Sequence, residues 1–183
     1  MRRVVVVGNS GSGKTRVARA IAEIMGLPLL ELDSVMHREG WDSGRGPKFQ
    51  EEVAEFAKGD RWVIDGNYTS HGSREVVWPR ADVVVWLDMP KWRIVPRVVL
   101  RTLRRVVTRE RLWDGPREPW TNLYSLDLHQ NIIVWAWTRH RHVREKYQRD
   151  LDEGSWEHTI VHRLRSPAGV RRFLASLRHT EGM

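Results

Sequence analysis

The 183-residue chain contains no cysteine. A disulfide framework, a cysteine-ligated zinc site, an iron–sulfur cluster and a thiol nucleophile are all excluded. No apolar run approaches the roughly 20 residues of a membrane-spanning helix. At the amino end, Met1-Arg2-Arg3 precedes only four valines, too short an apolar stretch for a secretory signal. A cytoplasmic location with no membrane partner is the expectation. Internal repeats, low-complexity tracts and an interdomain linker are also missing, which leaves one domain over residues 1–183. Lysine is scarce, with 5 against 26 arginines. Arginine suits bidentate phosphate contacts, although genomic composition accounts for such a bias equally well.

Charge is unevenly spread. Residues 1–90 carry 12 basic and 13 acidic side chains, whereas residues 91–183 carry 19 and 10. The stretch 91–111 alone has eight basic residues and one acid. An anionic partner is expected there: nucleotide phosphates, nucleic acid or an acidic protein.

Apolar patterning alternates strand and helix. Val4 to Val7 is a continuous β-branched run, as in a strand buried on both faces of a parallel sheet. A helical pattern from Lys14 to Met25 follows, closed by Gly26. Further strands are expected at Pro28–Leu32, Trp62–Ile64, Val83–Leu87 and His158–Leu164. Helices are expected over Phe49–Lys58, Pro90–Val107 (with Pro96 a kink or a late start), Ser125–Asp150 and Pro167–Leu177. Thr108–Trp120 reads as a loop. The class is α/β, a parallel sheet covered on both faces.

Gly8-Asn9-Ser10-Gly11-Ser12-Gly13-Lys14-Thr15 matches the G-x-x-x-x-G-K-[ST] phosphate loop at every fixed position. Its glycines let backbone N–H groups turn inward around phosphate oxygens, and the helix beginning near Gly13 points its positive end at them. Lys14 reaches the β- and γ-phosphates of ATP, and the Thr15 hydroxyl takes one place on Mg²⁺.

Here the chain resembles the P-loop nucleoside- and small-molecule-kinase superfamily, with adenylate and shikimate kinases as relatives. The runs GNSGSGKT, LELDSVMHREGW, WVIDGNY and ADVVVWLD and the segment Trp135-Ala136-Trp137-Thr138-Arg139 also resemble an adenylate-kinase-related group known as DNA topology modulation proteins. The resemblance implies a three-layer αβα fold with five parallel strands in the order 2-3-1-4-5 and a helical lid between strands four and five. It implies an acceptor-side segment over residues 34–60 and a lid loop over residues 108–120.

Acids follow strands at three positions, one of them a pair. The resemblance to the aliphatic-Asp-Gly segment of adenylate kinases makes Asp65 a metal-side acid; a turn or capping aspartate is the alternative. Asp88 precedes Met89-Pro90, where an N-cap explains it fully. Glu31 and Asp33 resemble the acid pair of shikimate-type kinases, so Asp33 would hold the acceptor and take its proton; helix capping is the plainer account. On a helical wheel Arg93, Arg97, Arg101, Arg104 and Arg105 share an arc of about 120°, opposite Val95, Val99, Thr102, Leu103 and Val106. By resemblance Arg97 lies near the base and Arg101 near the phosphates. A solvated or nucleic-acid-facing surface is the alternative.

Arg139 is carried over as a further phosphate-clamping arginine, while Arg109, Arg111 and Arg117 are reaching groups of the lid. His37, Arg38, Trp41, Asn67 and Tyr68 are candidates for contact with the acceptor. The adenylate-kinase pattern after Asp-Gly appears here as Asn67-Tyr68-Thr69, without its arginine, which argues against a standard AMP acceptor. Trp78, Trp86, Trp92 and one of Trp135 and Trp137 read as packing residues, and the spacing of His140 and His142 rules out a metal pair on one helix face. The expected activity is Mg-dependent transfer of the ATP γ-phosphoryl to a small-molecule acceptor by a monomer or weak dimer. The rival is a nucleic-acid-associated NTPase.

Overall fold

A computed structural model describes residues 1–38, 47–67, 73–108 and 132–181. In chain order the elements are β1 (Arg3–Gly8), α1 (Lys14–Met25), β2 (Leu29–Glu31), α2 (Leu32–Arg38), α3 (Pro47–Ala57), β3 (Trp62–Asp65), α4 (Ser73–Val77) and a 3₁₀ turn (Trp78–Arg80). They continue with β4 (Val83–Leu87), α5 (Lys91–Thr108), α6 (Ile132–Asp152), β5 (Ile160–Leu164) and α7 (Pro167–Glu181). The five strands form one parallel sheet in the order β2-β3-β1-β4-β5, the order expected.

The valine run explains why β1 is central. Val4, Val5, Val6 and Val7 are all essentially buried. A strand with no polar face is stable only between two layers of helices. One face of the sheet presents Val4, Val6, Val83, Val85 and Leu87 to Val17, Ala18 and Ile21 of α1 and to Phe173 and Leu177 of α7. The other presents Val5, Val7, Trp62, Val84 and Trp86 to Phe49 and Val53 of α3, Val77 of α4 and Tyr147 of α6. Fully burying one such side chain stabilises the fold by about 1.5–3 kcal/mol.

From β1 the chain runs first to β2 and β3 on one side and then to β4 and β5 on the other. Ligands of open parallel sheets bind at such a reversal, beyond the carboxyl ends of the strands. The register brings Glu31, Asp65, Gly8 and Leu87 to that end, with Glu31 opposite Asp65, Val6 opposite Asp65, and Gly8 opposite Leu87.

Several local expectations need correction. The second strand stops at Glu31, and Leu32 already begins α2, so Asp33 is a first-turn helix residue. α5 starts at Lys91 and carries Pro96 inside it, so there is no late start. Its buried stripe is Ile94, Val98 and Thr102, spaced by four, while Leu103 is exposed. Trp92 is 67% exposed and carries the Arg93 guanidinium 4.4 Å from its ring centroid, so it is not core. Asp88 lies three residues before α5 and does not cap it. The opening of the expected Ser125–Asp150 helix lies outside the described residues, and the described part runs on to Asp152. No described helix is long and apolar enough to cross a membrane.

Candidate functional site

The strand–turn–helix sequence Gly8 to Thr15 sits at the switch point. α1 opens on Gly13, in left-handed backbone (φ 95°, ψ 21°), with no side chain capping it and no acid in its first turn. Its first N–H groups therefore stay available to an anion. Gly11 has φ +78°, and a Cβ there would stand 2.7 Å from Val98 Cγ2, so α5 rests directly on the loop. The Ser12 hydroxyl is buried with no hydrogen-bond partner among the described residues. Lys14 Nζ reaches back to the Asn9 carbonyl at 3.4 Å.

The acids assemble beside this loop. Thr15 Oγ1 donates to Asp65 Oδ2 at 2.6 Å, although the two residues are 50 positions apart. Asp65 is buried, and its other oxygen, Oδ1, has no partner among the described residues. Burial pushes the Asp65 carboxyl above its ordinary value; Lys14 and the Thr15 hydroxyl pull it down, and the negative charges of Asp33 and Glu31 push it up again. Such a carboxylate favours a cation. Thr15, Asp65 and Asp33 thus lie within electrostatic reach of one another. Glu31 is otherwise engaged, accepting two bonds from Arg19 of α1 at 2.6 and 2.9 Å. No cluster of three or more His, Asp or Glu residues of metal-binding geometry exists among the described residues.

Asn67 does something the sequence does not reveal. Its side chain accepts from the Gly8 N–H at 3.0 Å and donates to the Gly8 carbonyl at 2.6 Å, extending the sheet by one amide. Tyr147 of α6 donates its hydroxyl to the same Asn67 oxygen at 2.8 Å. About two turns earlier on α6, the buried His140 donates from Nε2 to the Met89 carbonyl at 2.9 Å, and its own carbonyl accepts from Asn9 Nδ2 at 3.3 Å. α6 therefore fastens both ends of the loop's first two residues. Asn67 braces the loop rather than facing an acceptor, and neither Tyr147 nor this role of His140 has any local sequence signal.

The arginines divide. Arg101 borders the buried stripe of α5 and donates from Nη2 to Ser10 Oγ at 3.1 Å, directly on the loop. Arg97 lies further round the helix, exposed, and bonds no described residue. The backbone of Arg139 is on α6, but its side chain lies outside the described residues, as do the side chains of His37, Arg38, Trp135 and Trp137. Trp41, Tyr68, Arg109, Arg111, Arg117 and the lid loop beyond Thr108 also lie outside them. Asp88 receives Arg144, Arg163 and Arg165 at 3.2, 2.8 and 3.4 Å.

No protein-family model matches the chain. A cytidylate kinase of Pyrobaculum aerophilum is 31% identical over 174 residues, covering 81% of this chain and 90% of that protein. A cytidylate kinase of Pyrobaculum calidifontis is 29% identical over 72% of this chain and 79% of its own length. A protein of Pyrococcus furiosus named as an adenylate kinase candidate is 28% identical over 71% and 72%. Among solved structures, shikimate kinase from Acinetobacter baumannii in complex with shikimate superposes with a TM-score of 0.54 at 15% identity, over 99% of this chain and 93% of that one. A sugar kinase from Janibacter gives 0.53 at 21% identity, over 99% and 92%. The structural likenesses establish the αβα fold. The sequence relatives establish the family: the chain belongs to the P-loop kinase superfamily, and it is an ATP-dependent, kinase-like phosphotransferase.

Proposed function

We propose that the chain transfers the γ-phosphoryl of ATP to a nucleoside monophosphate, with Mg²⁺ held on the Thr15–Asp65 side of the loop. The observation that carries this reading is the 2.6 Å Thr15–Asp65 bond beside a buried carboxylate oxygen without a partner. Two hard oxygen donors fit Mg²⁺, which takes most of its remaining ligands from phosphates and water. Bound there, the ion would neutralise charge on the β- and γ-phosphates.

The chain's own residues supply positioning. Backbone N–H groups of Gly11 and of Gly13 to Thr15 cradle the phosphates, and Lys14 swings from the Asn9 carbonyl to the β- and γ-oxygens. Arg101, already on the loop at Ser10, meets the charge that develops in transfer, with Arg97 and Arg139 as further donors. Asp33, exposed at the opening of α2, orients the acceptor and takes its proton where the acceptor is a hydroxyl. The names of the Pyrobaculum relatives support cytidylate as the first acceptor to try.

The test is ADP release from Mg-ATP with CMP, UMP, AMP, a sugar, shikimate or duplex DNA added singly. Stimulation by one nucleoside monophosphate is expected. Stimulation by DNA alone, or a rate that no small molecule changes, would overturn the proposal in favour of an NTPase.

A further inference from the structure

On α6, His140 and Tyr147 point within about 20° of each other at 100° per residue, toward the phosphate loop. The arginines Arg144, Arg141 and Arg149 follow from about 40° to about 180° around the same helix, turned progressively away from that direction. They line, with Arg163 and Arg165 at the end of β5, an open groove of about 850 Å³. That volume lies within the range of small-ligand sites.

The floor of the groove is built. Asp88, whose side chain is 4% exposed, holds all three of Arg144, Arg163 and Arg165 by charge. Arg163 is saturated: it donates to Asp88 at 2.9 Å and to Gln148 Oε1 at 2.6 Å, and its guanidinium lies 4.0 Å from the Trp86 ring centroid. Arg144 and Arg165 differ. Each approaches Asp88 through Nε at ion-pair distance, makes no hydrogen bond among the described residues, and is half exposed or more. One carboxylate against three guanidiniums leaves two positive charges uncancelled in a concave surface. Glu145, the other acid of the groove, lies 2.6 Å from Arg141 and also feels the charge of Arg149, so five guanidiniums face two carboxylates.

We infer that this groove is a second anion site, separate from the phosphate loop, which takes a ligand bearing several phosphates. Arg144 and Arg165, aligned by Asp88, present their terminal N–H pairs as forks for phosphate oxygens. Arg149 lies on the same helix about 7 Å beyond Arg144 at 1.5 Å per residue, so a lone phosphate spans only one end. The phosphates come from a free polyphosphate or nucleotide, or from a nucleic-acid strand.

Calorimetric titration with inorganic tripolyphosphate, in Mg-free buffer and on the Lys14→Ala protein so that the loop contributes little, tests this. A single site is expected, weakened about tenfold or more by adding Arg144→Gln, Arg149→Gln and Arg165→Gln together. Thermal melting is expected to be unchanged by them. If the combined variant melts early, Arg149→Gln alone serves, with about threefold weaker binding expected. A parallel titration with a twelve-residue oligothymidylate separates the sources: binding of the strand but not of tripolyphosphate, lost in the same variants, assigns the phosphates to a nucleic-acid backbone. No binding of either probe, or equal binding by the variants, would overturn the inference.

Discussion

The two faces of the sheet are packed differently. The face under α1 and α7 is almost wholly aliphatic, and its close-packed valines, leucines and isoleucines offer no polar atom to the loop. The face under α3, α4 and α6 is aromatic. Trp78, Tyr147 and Trp156 stack in a group with ring centroids 5.0–6.2 Å apart, and Trp86 lies 5.8 Å from Tyr147. A tyrosine in such a cluster has an apolar body and a polar tip. Here the tip reaches Asn67, and through it the backbone of Gly8. One face is foundation; the other packs the sheet and braces Gly8 of the loop through the same side chains.

Substitutions separate these roles. The largest effect falls on the loop itself. Lys14→Ala should lower kcat/KM about 10³-fold without moving the melting temperature, in the range seen for removal of a charge-stabilising donor. Next comes Asp65→Asn, which should lower turnover about 10²-fold while raising the stability of the metal-free protein. The sign follows from burial. The folded-state carboxyl sits above its ordinary value, so the folded protein holds the proton more tightly than the unfolded chain. Stability is then lost as pH rises from the ordinary aspartate value through the folded one, and the neutral amide escapes that loss. Urea melts at pH 7 compare the two proteins.

The contrast between faces is sharpest in a pair. Val6→Ala on the aliphatic face should cost about 2–3 kcal/mol and leave kcat unchanged. Tyr147→Phe on the aromatic face should cost only about 1 kcal/mol yet lower kcat about fivefold, because Asn67 loses the donor that orients it. Equal stability losses with equal activity would break the distinction. The smallest effect concerns pH. Burial against Phe173 holds the His162 imidazole below its ordinary value of 6.5. The unfolded chain therefore takes up the proton first, and stability is lost as pH falls through that value toward the folded one. His162→Phe should flatten the stability profile below about pH 6.5.

The phosphate loop, its strand and its helix were legible because all their determinants lie within two dozen residues. The sheet order followed from the family resemblance. What sequence reading missed was long-range. Asp88 looked like a cap because its neighbours are Met89 and Pro90, while its arginine partner on β5 lies 75 positions away. Asn67 looked like an acceptor residue because Tyr147 lies 80 positions away. On α5 the wheel put Thr102 on the apolar side but missed Ile94 and Val98. Packing on Gly11 selects Ile94, Val98 and Thr102, and that choice is what brings Arg101 and not Arg97 onto the loop.

The most direct test of the central claim follows the label of [γ-³²P]ATP in the presence of CMP, for the native protein and Lys14→Ala. The account predicts label in CDP for the native protein and none for the variant. Label released only as inorganic phosphate, at a rate indifferent to every small acceptor, would contradict it.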